Sequence, residues 1–246
     1  MSSKFGFLSK INFLQDFASV VIAGLNPAIV HNLGKYMALK KVHYLSAVDD
    51  TPGDYLEFGV FQGSSMCHSI RCCKKLSKFN PNISNTRFFG FDSFDGFGKV
   101  SEDEKHSFFT DENFPTSLAA TQKRVQKVAG DLSFQLISGY FKDSLAQGAN
   151  SLGIEKAKVV MIDCDTYSAA NEALEFCIPI VQQGTIFLLD DYFYYRGNKE
   201  NGEMRAFAEF IEKTGIEVRE VCTYGMGSIV YVVSHLGTYD AEMWKS

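Results

Sequence analysis

The spacing of apolar positions changes period several times along this chain, and each change marks an element. Residues 28–48 place Ile29, Leu33, Tyr36, Met37, Leu39 and Val42 at helical intervals and predict a helix. After the turn signal "DDTPGD" (49–54) the run "YLEFGV" (55–60) predicts a strand, and "GSSMCHSIRCCKKLSKF" (63–79) a helix opening on Ser64 and Ser65. A second strand, "RFFGFD" (87–92), precedes a long polar and aromatic loop over 93–116. The helix "TSLAATQKRVQKVA" (116–129) follows, with Thr116 or Ser117 as its N-cap. Further strands are predicted at 134–139, 158–165, 185–191, near 217–223 and at 228–233, with helices at 168–182 and about 203–213.

Strands alternating with helices in this way predict an α/β fold, a doubly wound and mostly parallel seven-stranded sheet. The short "TYGMG" (223–227) between the last two strands predicts a hairpin and so an antiparallel edge. No internal repeat interrupts the pattern. The chain divides into an N-terminal helical segment, 1–50, and a single α/β domain, 51–246.

Sheets of this kind bind ligands at the carboxyl ends of their strands, so the polar residues there carry the functional reading. The first strand runs into "EFGVFQGSS" (57–65). Gly59 and Gly63 allow a tight turn and close backbone approach, and Ser64 opens a helix whose N-terminus attracts anions. This is not the G-x-G-x-x-G dinucleotide fingerprint, and glycine also serves such turns for steric reasons alone. The second strand ends in Asp92, where an acidic residue commonly takes ribose hydroxyls; the bland alternative is a turn aspartate. The fourth ends in "IDCD", with Asp163 and Asp165 on one side of an extended chain. The fifth, "IFLLDDYFYY" (186–195), ends in Asp190 and Asp191 followed by rings. Any one of these carboxylates fits a solvated strand end. Two pairs closing two apolar strands, on strands expected to be neighbours, fit a hard cation such as Mg²⁺, Mn²⁺ or Ca²⁺ better.

Composition narrows the class. A net charge of −5 and a pI near 5.6 provide no basic footprint for nucleic acid or an anionic membrane. The six cysteines form no C-x-x-C pair, so buried free thiols in a reducing cytoplasm are expected, and Cys72 and Cys73 are read as structural. The five histidines are scattered singly, which argues against a zinc site. The apolar run in "DFASVVIAGLNPAIV" (16–30) is too short to span a bilayer and lacks a convincing cleavage pattern. It is read as an amphipathic helix packing on the domain or on a second subunit, which makes a homodimer or higher homo-oligomer the expectation.

In order, "GDYLEFGVFQGSS", "FGFDSFDGF", "FPTSLAATQKRV", "ISGYFKDSL", "VMIDCDTYSAANEALEFCIPIVQQGTIFLLDDY" and "GEMRAFAEF" resemble the macrocin O-methyltransferase family over roughly residues 30–230. The resemblance implies a class I, Rossmann-like methyltransferase that uses S-adenosylmethionine and Mg²⁺ to methylate a small-molecule hydroxyl, notably on deoxysugars. It also implies residue roles. Glu57, Gly59, Gly63 and Ser64 would form the cofactor loop, Asp92 the ribose ligand, and Ser138 and Gly139 the adenine neighbourhood. Asp163, Asp190 and Asp191 would hold the metal, Asp163 beside the cofactor as well, and Asp165 would be the general base. Ala146-Gln147 replaces a usual proline, and the residue before Tyr167 is smaller than usual, which bears on the acceptor. The loop over 92–116 has the acids, glycines and phenylalanines of a substrate lid or of a simple crossover. Tyr192, Tyr194, Tyr195 and Arg196 are the expected acceptor contacts. Two other classes stay open: a metal-dependent glycosyltransferase using the Asp163-Cys164-Asp165 motif, and a non-catalytic cofactor-binding protein.

Overall fold

The structure, a computed structural model, describes residues 12–98, 100–106 and 116–237. Two helices lead, α1 (Asn12–Ala23) and α2 (Pro27–Val48), bent by 95° at their break. Asn26 accepts a hydrogen bond from the Ala28 amide at 2.9 Å, and Pro27 pre-sets the first turn, so α2 starts afresh there. There follow β1 (Asp54–Phe58), α3 (Ser64–Leu76), β2 (Phe88–Asp92), α4 (Leu118–Ala129), β3 (Phe134–Ser138) and the single turn α5 (Phe141–Ser144). The chain continues through β4 (Ala157–Ile162), α6 (Tyr167–Cys177), β5 (Ile186–Leu189), α7 (Gly202–Thr214), β6 (Glu217–Tyr224) and β7 (Ser228–His235).

The seven strands form one sheet in the order β3-β2-β1-β4-β5-β7-β6. All pairs from β3 to β5 are parallel, while β7 runs antiparallel to both its neighbours. The expected hairpin is therefore present, but β7 is inserted between β5 and β6, and β6 forms the edge. Strands expected to reach Asp165 and Asp191 stop earlier. The last β4–β5 ladder pair is Ile162 with Leu189, and the four aspartates lie in the turns beyond it.

Successive residues of the central strands face opposite layers, and both layers are apolar. Leu56, Phe58, Val160, Ile162, Phe187 and Leu189 pack with Ala170, Leu174, Phe207 and Phe210 of α6 and α7. Tyr55, Val159, Met161, Ile186 and Leu188 pack with Leu39 and Val42 of α2, Met66 and Ile70 of α3, and Val125 of α4. So α2, drawn from the N-terminal segment, shares the domain's core. Its contact with the β6–β7 turn is close: a Cβ on Gly34 would lie 2.5 Å from the Gly225 nitrogen. In contrast, α1 buries none of its residues. Among the described residues no single helix is long and apolar enough to cross a membrane.

All six cysteines are free, and five are buried. Cys73 lies 3.5 Å from His43 Nδ1, inside the layer formed by α2 and α3. His43 is 2% exposed, its Nε2 has no partner, and burial first, then the charge of Lys158, depress its pKa to about 3. An unfolded histidine titrates near 6.5. Folding therefore holds this ring neutral, a contribution present above about pH 6.5 and lost as pH falls towards 3. Between pH 7.5 and 5 the wild type should lose about 2 kcal/mol more unfolding free energy than His43→Leu. Urea unfolding of both proteins at the two pH values checks this; parallel losses would contradict it.

Candidate active site

The strand order reverses between β1 and β4, and the crevice at their carboxyl ends opens into a cavity of about 1270 Å³. On the β1–β2 side, Gly59 (φ +89°) passes so close to the β4 turn that a Cβ there would lie 1.7 Å from the Asp163 carbonyl oxygen. Phe61, also left-handed (φ +49°), turns its amide to Asp92 Oδ2 at 2.7 Å, and the Phe94 amide reaches Asp92 Oδ1 at 2.7 Å. These bonds fix the Asp92 carboxylate on the cavity wall, and each oxygen keeps acceptor capacity for a ligand hydroxyl. Phe97, Gly98, Tyr140 and Phe141 line the same end.

Other residues of that loop act from behind. Glu57 is fully buried, accepting from Tyr55 Oη at 2.5 Å and Ser65 Oγ at 2.8 Å; burial lifts its pKa to about 8. It clamps the start of α3 to β1. Gly63 (φ +73°) is the residue before α3, and Ser64 is the first helical one; neither lines the cavity. Ser138, the last residue of β3, and Gly139 after it stop just short of it, and the four residues Tyr140 to Asp143 reach the wall instead.

The other end of the cavity is acidic. Asp163, Asp165, Asp190 and Asp191 all line it, and one oxygen each from Asp163, Asp190 and Asp191 lie within 4.8 Å of one another. Asp165 sits in a left-handed turn (φ +66°), a costly conformation for a non-glycine residue that aims the chain into α6. The opposing charge comes from α2. Lys35 Nζ lies 2.7 Å from Asp163 Oδ2 and 2.8 Å from Asp190 Oδ2. His31 Nδ1 accepts the Met226 amide at 3.2 Å, which leaves its Nε2 to donate to Asp190 Oδ2 at 2.9 Å. Tyr224 Oη donates to Asp190 Oδ1 at 2.7 Å. Glu203, at the start of α7 and fully buried, accepts from the Asp191 amide at 3.0 Å and the Cys164 amide at 3.5 Å, tying the two acidic turns together.

Like charges in a buried cluster cannot all ionise. Burial, then the Asp190 charge, lifts Asp163 to about 7. Burial, then Asp163, lifts Asp165 to about 8. Burial and the neighbouring acids also raise Asp191 and Glu203. Burial opposes ionisation of Asp190 too, but Lys35 and His31 outweigh it and hold Asp190 below the usual carboxylate range. Burial also works against the Lys35 charge, and Asp163 and Asp190 overcome it, raising the ammonium's pKa. The Asp191 Oδ2 atom is buried with no hydrogen-bond partner.

Sequence similarity gives this geometry its context. The family model described as macrocin O-methyltransferase (TylF) matches residues 34–224. The chain belongs to that family. It is 26% identical over 178 residues to mycinamicin III 3''-O-methyltransferase of Micromonospora griseorubida, matching 68% of this chain and 66% of that protein. It is likewise 26% identical over 176 residues to 8-demethyl-8-(2,3-dimethoxy-alpha-L-rhamnosyl)-tetracenomycin-C 4'-O-methyltransferase of Streptomyces olivaceus, matching 68% of this chain and 64% of that one. The match thus spans just under two thirds of either relative's length. Its fold resembles the calicheamicin methyltransferase CalS11 at a TM-score of 0.66 and 18% identity, covering 88% of this chain and 85% of that one.

The residues present fit the groups this family implies. For a divalent cation there are three oxygen donors in one small space and an orphaned, buried Asp191 oxygen facing no partner. For an adenosyl cofactor there are a close-approaching Gly59 backbone, a fixed Asp92 carboxylate and a ring-lined end. Of the expected acceptor contacts, Tyr194 lines the cavity. Tyr195 is used structurally, its hydroxyl donating to the Glu104 carbonyl at 3.0 Å and to the Asp165 carbonyl at 3.3 Å. Tyr192 packs on Tyr231, and Arg196 is exposed. The loop after β2 is pinned over the cavity where it is described: Glu104 accepts from the Ser168 amide at 2.5 Å and its hydroxyl at 3.0 Å. Residues 99 and 107–115 of the expected lid lie outside the described residues. Sequence reasoning missed His31, Lys35 and Glu203. His31 and Lys35 lie one helical turn apart on α2, a spacing that carries no signal until the burial of Lys35 is known.

Proposed function

We propose that this chain is an S-adenosylmethionine-dependent O-methyltransferase acting on a hydroxyl of a sugar or sugar-bearing small molecule, with a divalent cation held by Asp163, Asp190 and Asp191. The observation that carries this reading is that the Asp92 end and the acidic end belong to one cavity. A sugar acceptor is supported by the relative whose name specifies a rhamnosyl 4'-O position. The family match and the Asp92 wall, idle in a glycosyltransferase, favour methyl transfer over the use of Asp163-Cys164-Asp165 on a nucleotide sugar. Asp165 on the cavity wall favours catalysis over mere cofactor binding.

Bound here, the cofactor supplies an electrophilic methyl sulfonium, and the cation acidifies an oxygen beside it. The chain's own work is positioning and proton removal. Gly59 and Phe61 shape the wall that receives the cofactor, and Asp92 accepts its ribose hydroxyls. Asp165 on the cavity wall takes the acceptor hydroxyl's proton. Tyr194 and Met226 flank the acceptor end.

Free, mostly buried thiols support a cytoplasmic location. The exposed apolar face supports a homodimer through the N-terminal helices: Phe13, Phe17, Val20 and Ile22 of α1 and Ile29, Leu33 and Met37 of α2 all face outward. Light scattering should give twice the chain mass, and Phe17→Asp with Val20→Asp should halve it. A monomeric wild type would end the dimer reading.

The catalytic assignment separates binding from turnover. Asp92→Ala should weaken S-adenosylhomocysteine binding by about 1.5–3 kcal/mol in calorimetry. Asp165→Asn should leave that affinity unchanged while lowering methyl transfer by about 10²–10⁴-fold, the share of a general base. Unchanged affinity in the first variant, or unchanged turnover in the second, removes that residue from its role.

A further inference from the structure

The acidic end already contains a cation, and it belongs to the protein. Lys35 Nζ sits 2.7 Å and 2.8 Å from Asp163 Oδ2 and Asp190 Oδ2, with its side chain only 9% exposed. Asp163 and Asp190 are also two of the three residues whose oxygens converge within 4.8 Å. A magnesium ion needs oxygens at about 2.0–2.1 Å and tolerates little departure from its geometry. An ammonium lodged between two of its ligands takes up that space, and a second positive charge beside it is strongly repelled. His31 and Tyr224 are different in kind. Both donate to Asp190, Tyr224 to Oδ1 and His31 from the cavity wall to Oδ2, and so orient it as partners of a metal ligand do.

We propose that Lys35 and a divalent cation are alternative occupants of the space between Asp163 and Asp190, so that metal binding expels Lys35 and metal loss returns it. This rests on the metal reading above and adds to it a residue that sets the site's metal affinity. While Lys35 is in place, it neutralises part of the carboxylate charge; once it leaves, that charge is available to the ion. The exchange also connects the site to α2, because the helix that carries the exposed Ile29, Leu33 and Met37 is the one that carries Lys35.

The test is Mn²⁺ binding to the full chain, followed by the electron paramagnetic resonance of free Mn²⁺. Lys35→Met keeps most of the stem and removes the charge. It should bind Mn²⁺ at least about tenfold more tightly than wild type, because the competing ammonium is gone. Wild-type binding with equal or weaker binding by Lys35→Met overturns the exchange and leaves the metal reading standing. Absence of binding in both overturns both. Should the variant not fold, the wild type itself decides: reductive methylation of Lys35, read by mass spectrometry, should be several-fold faster with Mg²⁺ than with a chelator, and an unchanged rate overturns the exchange.

Discussion

Asp163 and Asp190 share one ammonium, and the arrangement of the active end depends on that contact. Five carboxyl groups crowd the turns after β4 and β5 and the start of α7. Among the described residues, Lys35 and His31 are the basic side chains that contact these acids. The protein meets this in two ways. Lys35 and His31 keep Asp190 ionised, while burial leaves Asp163, Asp165, Asp191 and Glu203 with raised affinities for protons. A divalent cation entering such a site releases protons as it binds, because its ligands must be deprotonated.

The backbone is built around the same point. Gly59 passes against the Asp163 carbonyl, Glu203 bonds the amides of both acidic turns, and the left-handed turn at Asp165 leads into α6, whose Ser168, Ala169 and Glu172 line the cavity. Gly34 lets α2 approach the β6–β7 turn closely enough for His31 to accept the Met226 amide. The inserted strand β7 carries Ser228, whose hydroxyl donates to the Asp190 carbonyl at 2.5 Å, so the antiparallel insertion also braces the acidic rim. Phe61 and Asp165, both left-handed, line the cavity itself, as expected where a surrounding fold over-determines a site.

The strand ends were legible because paired carboxylates after apolar runs are conspicuous, and because strand order follows from alternation with helices. Asp92, Asp163, Asp165, Asp190 and Asp191 accordingly line one cavity. The partners of those acids were not legible. Lys35 and His31 lie on a helix whose apolar spacing describes only its packing face, and a lysine there reads as solvated until its neighbours are known. Glu203 sits in a helix start, where an acid is unremarkable on helix-dipole grounds. The family resemblance assigns Glu57 to the cofactor loop, yet its burial behind that turn depends on Tyr55 and Ser65 pointing inward. The hairpin was readable from "TYGMG", but the choice of β7 over β6 as the neighbour of β5 depends on non-local packing.

The central claim is that one cavity brings a ribose-bearing cofactor on Asp92 and a divalent cation on the three aspartates to adjacent places. A crystal structure with S-adenosylhomocysteine and Mn²⁺, with anomalous data at the manganese edge, tests it most directly. The account predicts a manganese peak bounded by Asp163, Asp190 and Asp191, and ribose hydroxyls on the Asp92 carboxylate in the same cavity. A peak elsewhere, or a cofactor whose ribose lies away from Asp92, would contradict it.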